Sequence, residues 1–119
     1  MNISGYKKKA SLIRDTDVYR VYDLEDLDHL NLSLTELKVG KATSGHSHDL
    51  ADEVYVFISG SGAMDIGEKK EKVKEGDVIL ISRGDFHKVY NKGKKPLKFW
   101  SIFEKYEGRG QNPSPRRDR

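Results

Sequence analysis

Short segments rich in β-branched and aromatic residues recur along this chain, and turn signals containing glycine, asparagine or proline separate them. Residues of these types favour β-strands, and strands that recur roughly every 8–12 residues are typical of antiparallel sandwiches and barrels. The sequence therefore predicts an all-β fold, with a short turn near Leu24–Leu30 as its only helix candidate. The clearest predicted strands are Leu30–Val39, Glu53–Ser59, Asp77–Ser82, Phe86–Tyr90 and Leu97–Phe103.

The length of the chain, 119 residues, suits one domain with one hydrophobic core. Residues 107–119 contain no apolar side chain, and a segment that can bury nothing stays unfolded. We therefore expect an N-terminal extension at residues 1–12, a folded domain at residues 13–106 and a flexible basic tail at residues 107–119. In a competing interpretation, the arginines of the tail dock onto an acidic partner surface or onto nucleic acid.

Composition excludes several classes of protein. The chain has no cysteine, which excludes disulfide scaffolds, thiol catalysis and thiolate zinc fingers. Its 22 basic and 19 acidic residues nearly balance, and the basic excess lies at the two ends, so we expect no nucleic-acid partner. No apolar run is long enough for a membrane-spanning helix and no secretory signal is visible, so we expect a cytoplasmic protein with no membrane partner. Abundant lysine and glutamate beside a single glutamine give a thermophile-like composition.

Three of the four histidines, together with one glutamate, form a candidate metal site. His46 and His48 are two residues apart, so in an extended segment both rings project to the same face. Glu53 opens the next predicted strand, and His87 lies on a later one. Three neutral imidazoles and one carboxylate suit a divalent transition metal, namely Mn, Fe, Co, Ni, Zn or Cu. On spacing alone, the alternative is that His46 and His48 are exposed loop residues.

Glycines frame these histidines in two motifs. Residues 40–60 read G-x5-H-x-H-x4-E-x6-G, and residues 76–91 read G-x5-S-x-G-x2-H-x3-N. The pair resembles the two signature motifs of the cupin superfamily at every position but one, because Ser82 stands where the family usually has proline. That proline stiffens a turn and is not a ligand, so its absence leaves the metal prediction intact. A motif of this length is a specific signal.

The resemblance implies a small antiparallel jelly-roll β-barrel that holds one divalent transition metal per chain. Carried over position by position, the metal ligands are His46, His48, Glu53 and His87. Cupins include isomerases, dioxygenases, decarboxylases, sensors and storage proteins, so the fold does not select a reaction. The segment from Thr43 to Gly62 looks somewhat like cupin-type sugar-phosphate isomerases, which favours a sugar or sugar-phosphate isomerase acting on a small oxygen-rich molecule. The alternatives are a metal-dependent dioxygenase or decarboxylase, and a non-enzymatic protein that binds a metal or a small ligand.

Strand alternation adds one aromatic residue to the predicted site. If Glu53 points inward, Tyr55 and Phe57 point inward too. Isomerisation requires a base that moves a proton between adjacent carbons, and Glu53 and Tyr55 are the candidate catalytic residues. Asn91, at the end of the second motif, is interpreted as a turn residue rather than a site residue.

The last predicted strand is apolar on both faces, with Phe99 and Phe103 on one face and Trp100 and Ile102 on the other. Its outer face must therefore pack against something, either a second subunit or the N-terminal strand. With the family resemblance, this predicts a homodimer in which a strand from the N-terminal third adds to the partner's sheet edge.

Overall fold

The computed structural model of the protein describes residues 1–47 and 51–105. Within these ranges the chain forms one helix, α1 (Ile3–Lys9), followed by nine strands. The tail predicted at residues 107–119 lies outside the described residues. The strands are β1 (Ser11–Asp15), β2 (Tyr19–Leu24), β3 (Leu30–Leu37), β4 (Glu53–Ser59), β5 (Ser61–Ile66), β6 (Lys69–Lys74), β7 (Val78–Ile81), β8 (His87–Asn91) and β9 (Leu97–Glu104).

The strands divide into two sheets, and every pairing within them is antiparallel. One sheet has six strands in the order β1-β2-β3-β9-β4-β7, and the other has three in the order β6-β5-β8. Residues 41–46 run beside β8 and connect to it through isolated bridges at Ala42 and His46. Among the described strands, hydrogen bonding does not run continuously around a barrel. The architecture is nevertheless the all-β jelly roll that the sequence predicts.

The core lies between the two sheets, where alternate residues of each strand face inward. On β4 the inward residues Glu53, Tyr55 and Phe57 are all buried, which confirms the prediction from strand alternation. On β9 the inward row is Leu97, Phe99, Ser101 and Phe103, all buried. The turn between β4 and β5 requires glycine at position 60. Gly60 has a φ of +90°, which other residues rarely adopt, and a Cβ there would lie 2.7 Å from the Pro96 carbonyl oxygen.

The N-terminal helix covers part of the outer face of β9. The rings of Tyr6 and Trp100 meet edge to face with centroids 4.8 Å apart, and the Tyr6 hydroxyl donates to the Leu32 carbonyl oxygen at 2.6 Å. The second apolar face of the last strand therefore packs, in part, against α1. In this structure β1 pairs with β2 of its own chain at one edge of the six-stranded sheet.

The prediction of a helical turn near Leu24–Leu30 is wrong, because residues 25–29 form a non-helical connection between β2 and β3. Leu27 and the two aspartates beside it are exposed, so the apolar spacing that suggested a helix has no surface to pack against. The helix lies instead at Ile3–Lys9, where Asn2 caps the first turn by accepting from the Gly5 N–H at 2.8 Å. The described part of the chain contains no helix long and apolar enough to cross a lipid bilayer.

Candidate metal centre

Three of the four predicted ligands converge between the sheets. Each of them, His46, Glu53 and His87, offers one ligand atom, and these atoms all lie within 4.8 Å of one another. Glu53 opens β4 and His87 opens β8, whereas His46 precedes β4 in the chain. A double backbone bridge holds His46 against His87, with N···O distances of 3.1 and 2.9 Å. Strand pairing, rather than proximity in sequence, therefore builds the cluster.

The protonation of His87 follows from its neighbours. Its Nδ1 lies 3.0 Å from the Asp85 carbonyl oxygen, and a carbonyl oxygen can only accept a hydrogen bond. Nδ1 therefore donates to this carbonyl, and in the neutral ring the lone pair lies on Nε2. That atom faces Glu53 Oε1 at 3.4 Å. A backbone carbonyl that holds one ring nitrogen and turns the other inward is the usual support of a metal-binding histidine.

Glu53 is a buried carboxylate, only 4% exposed. Ser101 Oγ donates to its Oε2 at 2.5 Å, while its Oε1 faces His87. Burying a carboxylate costs free energy unless a positive charge or hydrogen bonds compensate for the lost water. A divalent cation held by Glu53 and the two imidazoles would supply that charge, so this donor set fits a metal ion.

Aromatic contacts fix the rings of the cluster. The His46 and His87 rings have centroids 4.4 Å apart, and Tyr55 meets His87 almost perpendicularly at 5.7 Å. On its other side, Tyr55 stacks on Phe99 with centroids 4.8 Å apart. Tyr55 is fully buried. It forms an aromatic wall beside His87, on the inward side of β4 where strand alternation places it.

The other two histidines and Asn91 do not belong to the described cluster. His48 lies outside the described residues, so its predicted role as a ligand stays a prediction. His29 is exposed in the turn between β2 and β3, outside the cluster. Asn91 Nδ2 donates to the carbonyl oxygens of Leu37 and Lys95 at 3.0 and 2.9 Å. Asn91 is the last residue of β8, and these bonds tie the end of that strand to the end of β3 and to the segment that leads into β9.

Sequence reasoning missed the polar residues on the inner face beside the cluster. The buried carboxylate of Asp23 accepts hydrogen bonds from Asn31 Nδ2 and, at 2.7 Å, from Ser33 Oγ. Ser33 stands directly opposite Ser101 in the β3–β9 register. The inner face is therefore polar from Asp23 to Glu53. The signal in the sequence was alternation itself, because Ser101 is the one polar residue in an otherwise apolar inward row.

Comparison with known proteins adds a family match. Residues 33–103 match the sequence model described as Cupin domain. An uncharacterised protein of Methanocaldococcus jannaschii is 40% identical over 100 residues, which cover 77% of this chain and 76% of that protein. Acireductone dioxygenase 1 of Vitis vinifera is 28% identical over 95 residues, covering 74% of this chain but only 50% of that protein.

Solved structures resemble the fold at low sequence identity. KdgF from Halomonas sp. has a TM-score of 0.71 at 12% identity, over 82% of this chain and 88% of that one. A predicted oxalate decarboxylase from Thermotoga maritima has a TM-score of 0.70 at 20% identity, over 84% and 96%. At these identities the likeness establishes the fold alone.

Proposed function

Because this chain belongs to the cupin family, we propose that it binds one divalent transition metal through His46, His48, Glu53 and His87 and catalyses a reaction of a small oxygen-rich molecule. The observation that carries the proposal is the convergence of three of these side chains, with ligand atoms within 4.8 Å of one another. Imidazole nitrogens and a carboxylate oxygen are suitable ligands for Mn, Fe, Co, Ni, Zn and Cu. When bound, such an ion supplies a Lewis acid that polarises an oxygen atom of the substrate.

The reaction we favour is isomerisation of a sugar or sugar phosphate, with Glu53 and Tyr55 as the catalytic residues. Glu53 would hold the metal through Oε1, the oxygen beside His87, so its second oxygen, Oε2, which accepts from Ser101 Oγ, is the atom that takes up or returns a proton. Tyr55 keeps water away from the far side of His87 because its ring is fully buried there. The polar inner face around Asp23 suits the hydroxyl groups of such a substrate.

A second candidate is a metal-dependent dioxygenase or decarboxylase. The sequence identity to acireductone dioxygenase 1 of Vitis vinifera favours the dioxygenase. In this reaction the same ligands would hold a redox-active metal, and the inner face would exclude bulk water from the bound substrate. A non-enzymatic protein that stores or senses a metal or a small molecule would need the same metal-binding side chains but no proton transfer at Glu53.

Parallel assays on one preparation distinguish the candidates. The protein is loaded separately with Mn, Fe, Ni and Zn and incubated with aldose and ketose phosphates in D2O. Solvent deuterium at the carbon beside the carbonyl group supports isomerisation, because the proton must exchange through a base on the protein. Oxygen consumption by the iron form with a small organic substrate, without deuterium exchange, supports the dioxygenase. If a broad substrate panel gives neither result with any loaded metal, the non-enzymatic alternative replaces the enzyme.

We also propose that the functional unit is a homodimer formed through β7, in place of the N-terminal strand expected from the sequence, because β1 already pairs with β2 of its own chain. This strand lies at the edge of the six-stranded sheet, and its outward side chains Val78 and Leu80 are 57% and 73% exposed. Val56 and Val54 of β4 lie opposite them in register and extend the apolar strip. A second copy is the occupant we assign, because two identical edges related by a two-fold axis can pair their backbones and bury both strips at once.

A further inference from the structure

The outer face of the three-stranded sheet carries lysines at alternate positions. Lys70, Lys72 and Lys74 of β6 project outward, because the residue between the last two, Val73, is buried on the inner face. On β8 the same alternation turns Tyr90 outward between two buried residues. Glu68, Glu71 and Glu75 lie among these lysines in the sequence, so the net charge of this segment does not reveal the basic face.

A groove runs along β5 between these two strands. Ser61 pairs with Lys74, and Ala63 pairs with Lys72 on one side and with Tyr90 on the other. The central strand therefore presents small side chains while its neighbours present long ones. The resulting groove has a volume of about 500 Å³, within the range of small-molecule sites.

Two lysines at this groove have no carboxylate partner. Asp65 pairs with Lys70 at 3.2 Å and accepts from the Tyr90 hydroxyl at 2.6 Å. Within residues 1–47 and 51–105, Lys72 and Lys92 form no ion pair. Both line the groove. Lys92 Nζ lies 5.5 Å from the centroid of the Tyr90 ring, a contact that does not neutralise its charge, so both ammonium groups can attract an anionic ligand.

One carboxylate does line the groove, at the end occupied by Lys74. Asp77 Oδ1 lies 4.0 Å from Lys74 Nζ, and Asp77 Oδ2 accepts from the Lys74 backbone N–H at 2.9 Å. These two contacts direct the Asp77 charge toward the β6–β7 turn. The other two lysines of the lining, Lys72 and Lys92, keep their positive charge uncompensated by a carboxylate within residues 1–47 and 51–105.

We infer that this groove binds a small phosphorylated molecule. Lysine ammonium groups and a serine hydroxyl, here those of Lys72, Lys92 and Ser61, are suitable donors to phosphate oxygens. The site is separate from the metal centre, because adjacent residues of β8 project to opposite faces of the sheet. His87 points into the cluster, whereas Lys88 lies on the outer face beside Asp65. The inference therefore does not depend on the proposed function.

Calorimetric titration at low salt tests the inference, with inorganic phosphate, pyrophosphate, ADP and a single-stranded oligodeoxythymidine as probes. The test variant is Lys72→Gln/Lys92→Gln. Its matched control, Lys8→Gln/Lys41→Gln, removes the same charge from exposed positions outside the groove. We expect pyrophosphate or ADP to bind, and the test variant to weaken that binding at least about tenfold, because two charge-assisted hydrogen bonds are lost. The control variant should bind as the unmodified protein does.

A third variant separates a shaped groove from a merely basic surface. Ala63→Leu places a larger side chain on the floor without changing the charge, and we expect it to abolish binding while the melting temperature and metal content stay unchanged. The inference would be overturned if all variants bound with equal affinity. It would also be overturned if the unmodified protein bound none of phosphate, pyrophosphate and ADP. Binding of the oligonucleotide alone would also overturn it and would identify a polynucleotide surface instead.

Discussion

At the scale of single residues, Ser101 is the side chain that most directly positions Glu53. We expect Ser101→Ala to lower metal affinity about 10- to 100-fold, as loss of a supporting hydrogen bond does at other metal sites. Without metal, the free energy of unfolding should fall by about 1–3 kcal/mol, because the buried carboxylate loses a donor. Competition with a chelator measures the first effect and urea denaturation the second. Ser11→Ala, at an exposed position on β1, is the control; equal metal affinity in both variants would contradict the positioning role.

The hydrogen bond between Tyr90 and Asp65 makes stability depend on pH. It lowers the pKa of Asp65 below its ordinary value of 3.8 and raises the pKa of Tyr90. A carboxyl group whose pKa is lowered by folding stabilises the protein above its unfolded pKa, and this contribution is lost as the pH falls through the folded pKa. We therefore expect Tyr90→Phe to destabilise the protein more at about pH 6 than at about pH 2.5. Urea denaturation at the two pH values checks this, and Asp65→Asn should show the same pattern; a pH-independent difference would contradict it.

Residue types and their spacing were enough to predict much of the site. The histidine and glutamate positions came from motif spacing, and the inward direction of Tyr55 came from strand alternation. The bond from Ser101 to Glu53 depends on the register of β4 and β9, and the bonds to the Asp23 carboxylate depend on the register of β2 and β3, so neither could be predicted. No local pattern encodes such a register.

At the scale of elements, strong β-propensity made strands predictable. β4 has the predicted bounds, Glu53–Ser59, and β9 extends one residue beyond its prediction. β6 was missed because five of its six residues are charged, and only Val73 packs inward. This strand depends on pairing with β5 rather than on its own propensity. Tertiary pairing can therefore form a strand where the local sequence does not favour one.

The contact between Tyr6 of α1 and Trp100 of β9 can be tested by fluorescence. Trp100 is the only tryptophan in the chain, so its fluorescence reports on the packing of Tyr6 against it. We expect Tyr6→Ala to shift the emission to longer wavelength and to lower the free energy of unfolding by about 3 kcal/mol, because a large buried side chain is removed. The control Val39→Ala, at a 50% exposed position outside the surface cleft that Tyr6 and Trp100 line, should change neither. An unchanged emission in Tyr6→Ala would show that α1 does not cover Trp100 in solution.

At the scale of the whole molecule, the exposed strip on β7 predicts self-association. Sedimentation at micromolar concentration should report twice the chain mass of 13.6 kDa. Leu80→Lys should give a monomer, because it places a charge in the proposed interface. Leu27→Lys, at a 62% exposed position in the turn between β2 and β3, should remain a dimer. A monomer in the unmodified protein, or a dimer of Leu80→Lys with unchanged affinity, would contradict the interface.

The metal content of the purified protein tests the central claim most directly. Elemental analysis of unmodified protein, after growth with transition metals or reconstitution, should find about one divalent transition metal per chain. His46→Ala, His48→Ala and His87→Ala should each lose most of it, whereas His29→Ala should keep all of it because that residue lies outside the cluster. A folded protein that retains no Mn, Fe, Co, Ni, Zn or Cu under any of these conditions would contradict the account.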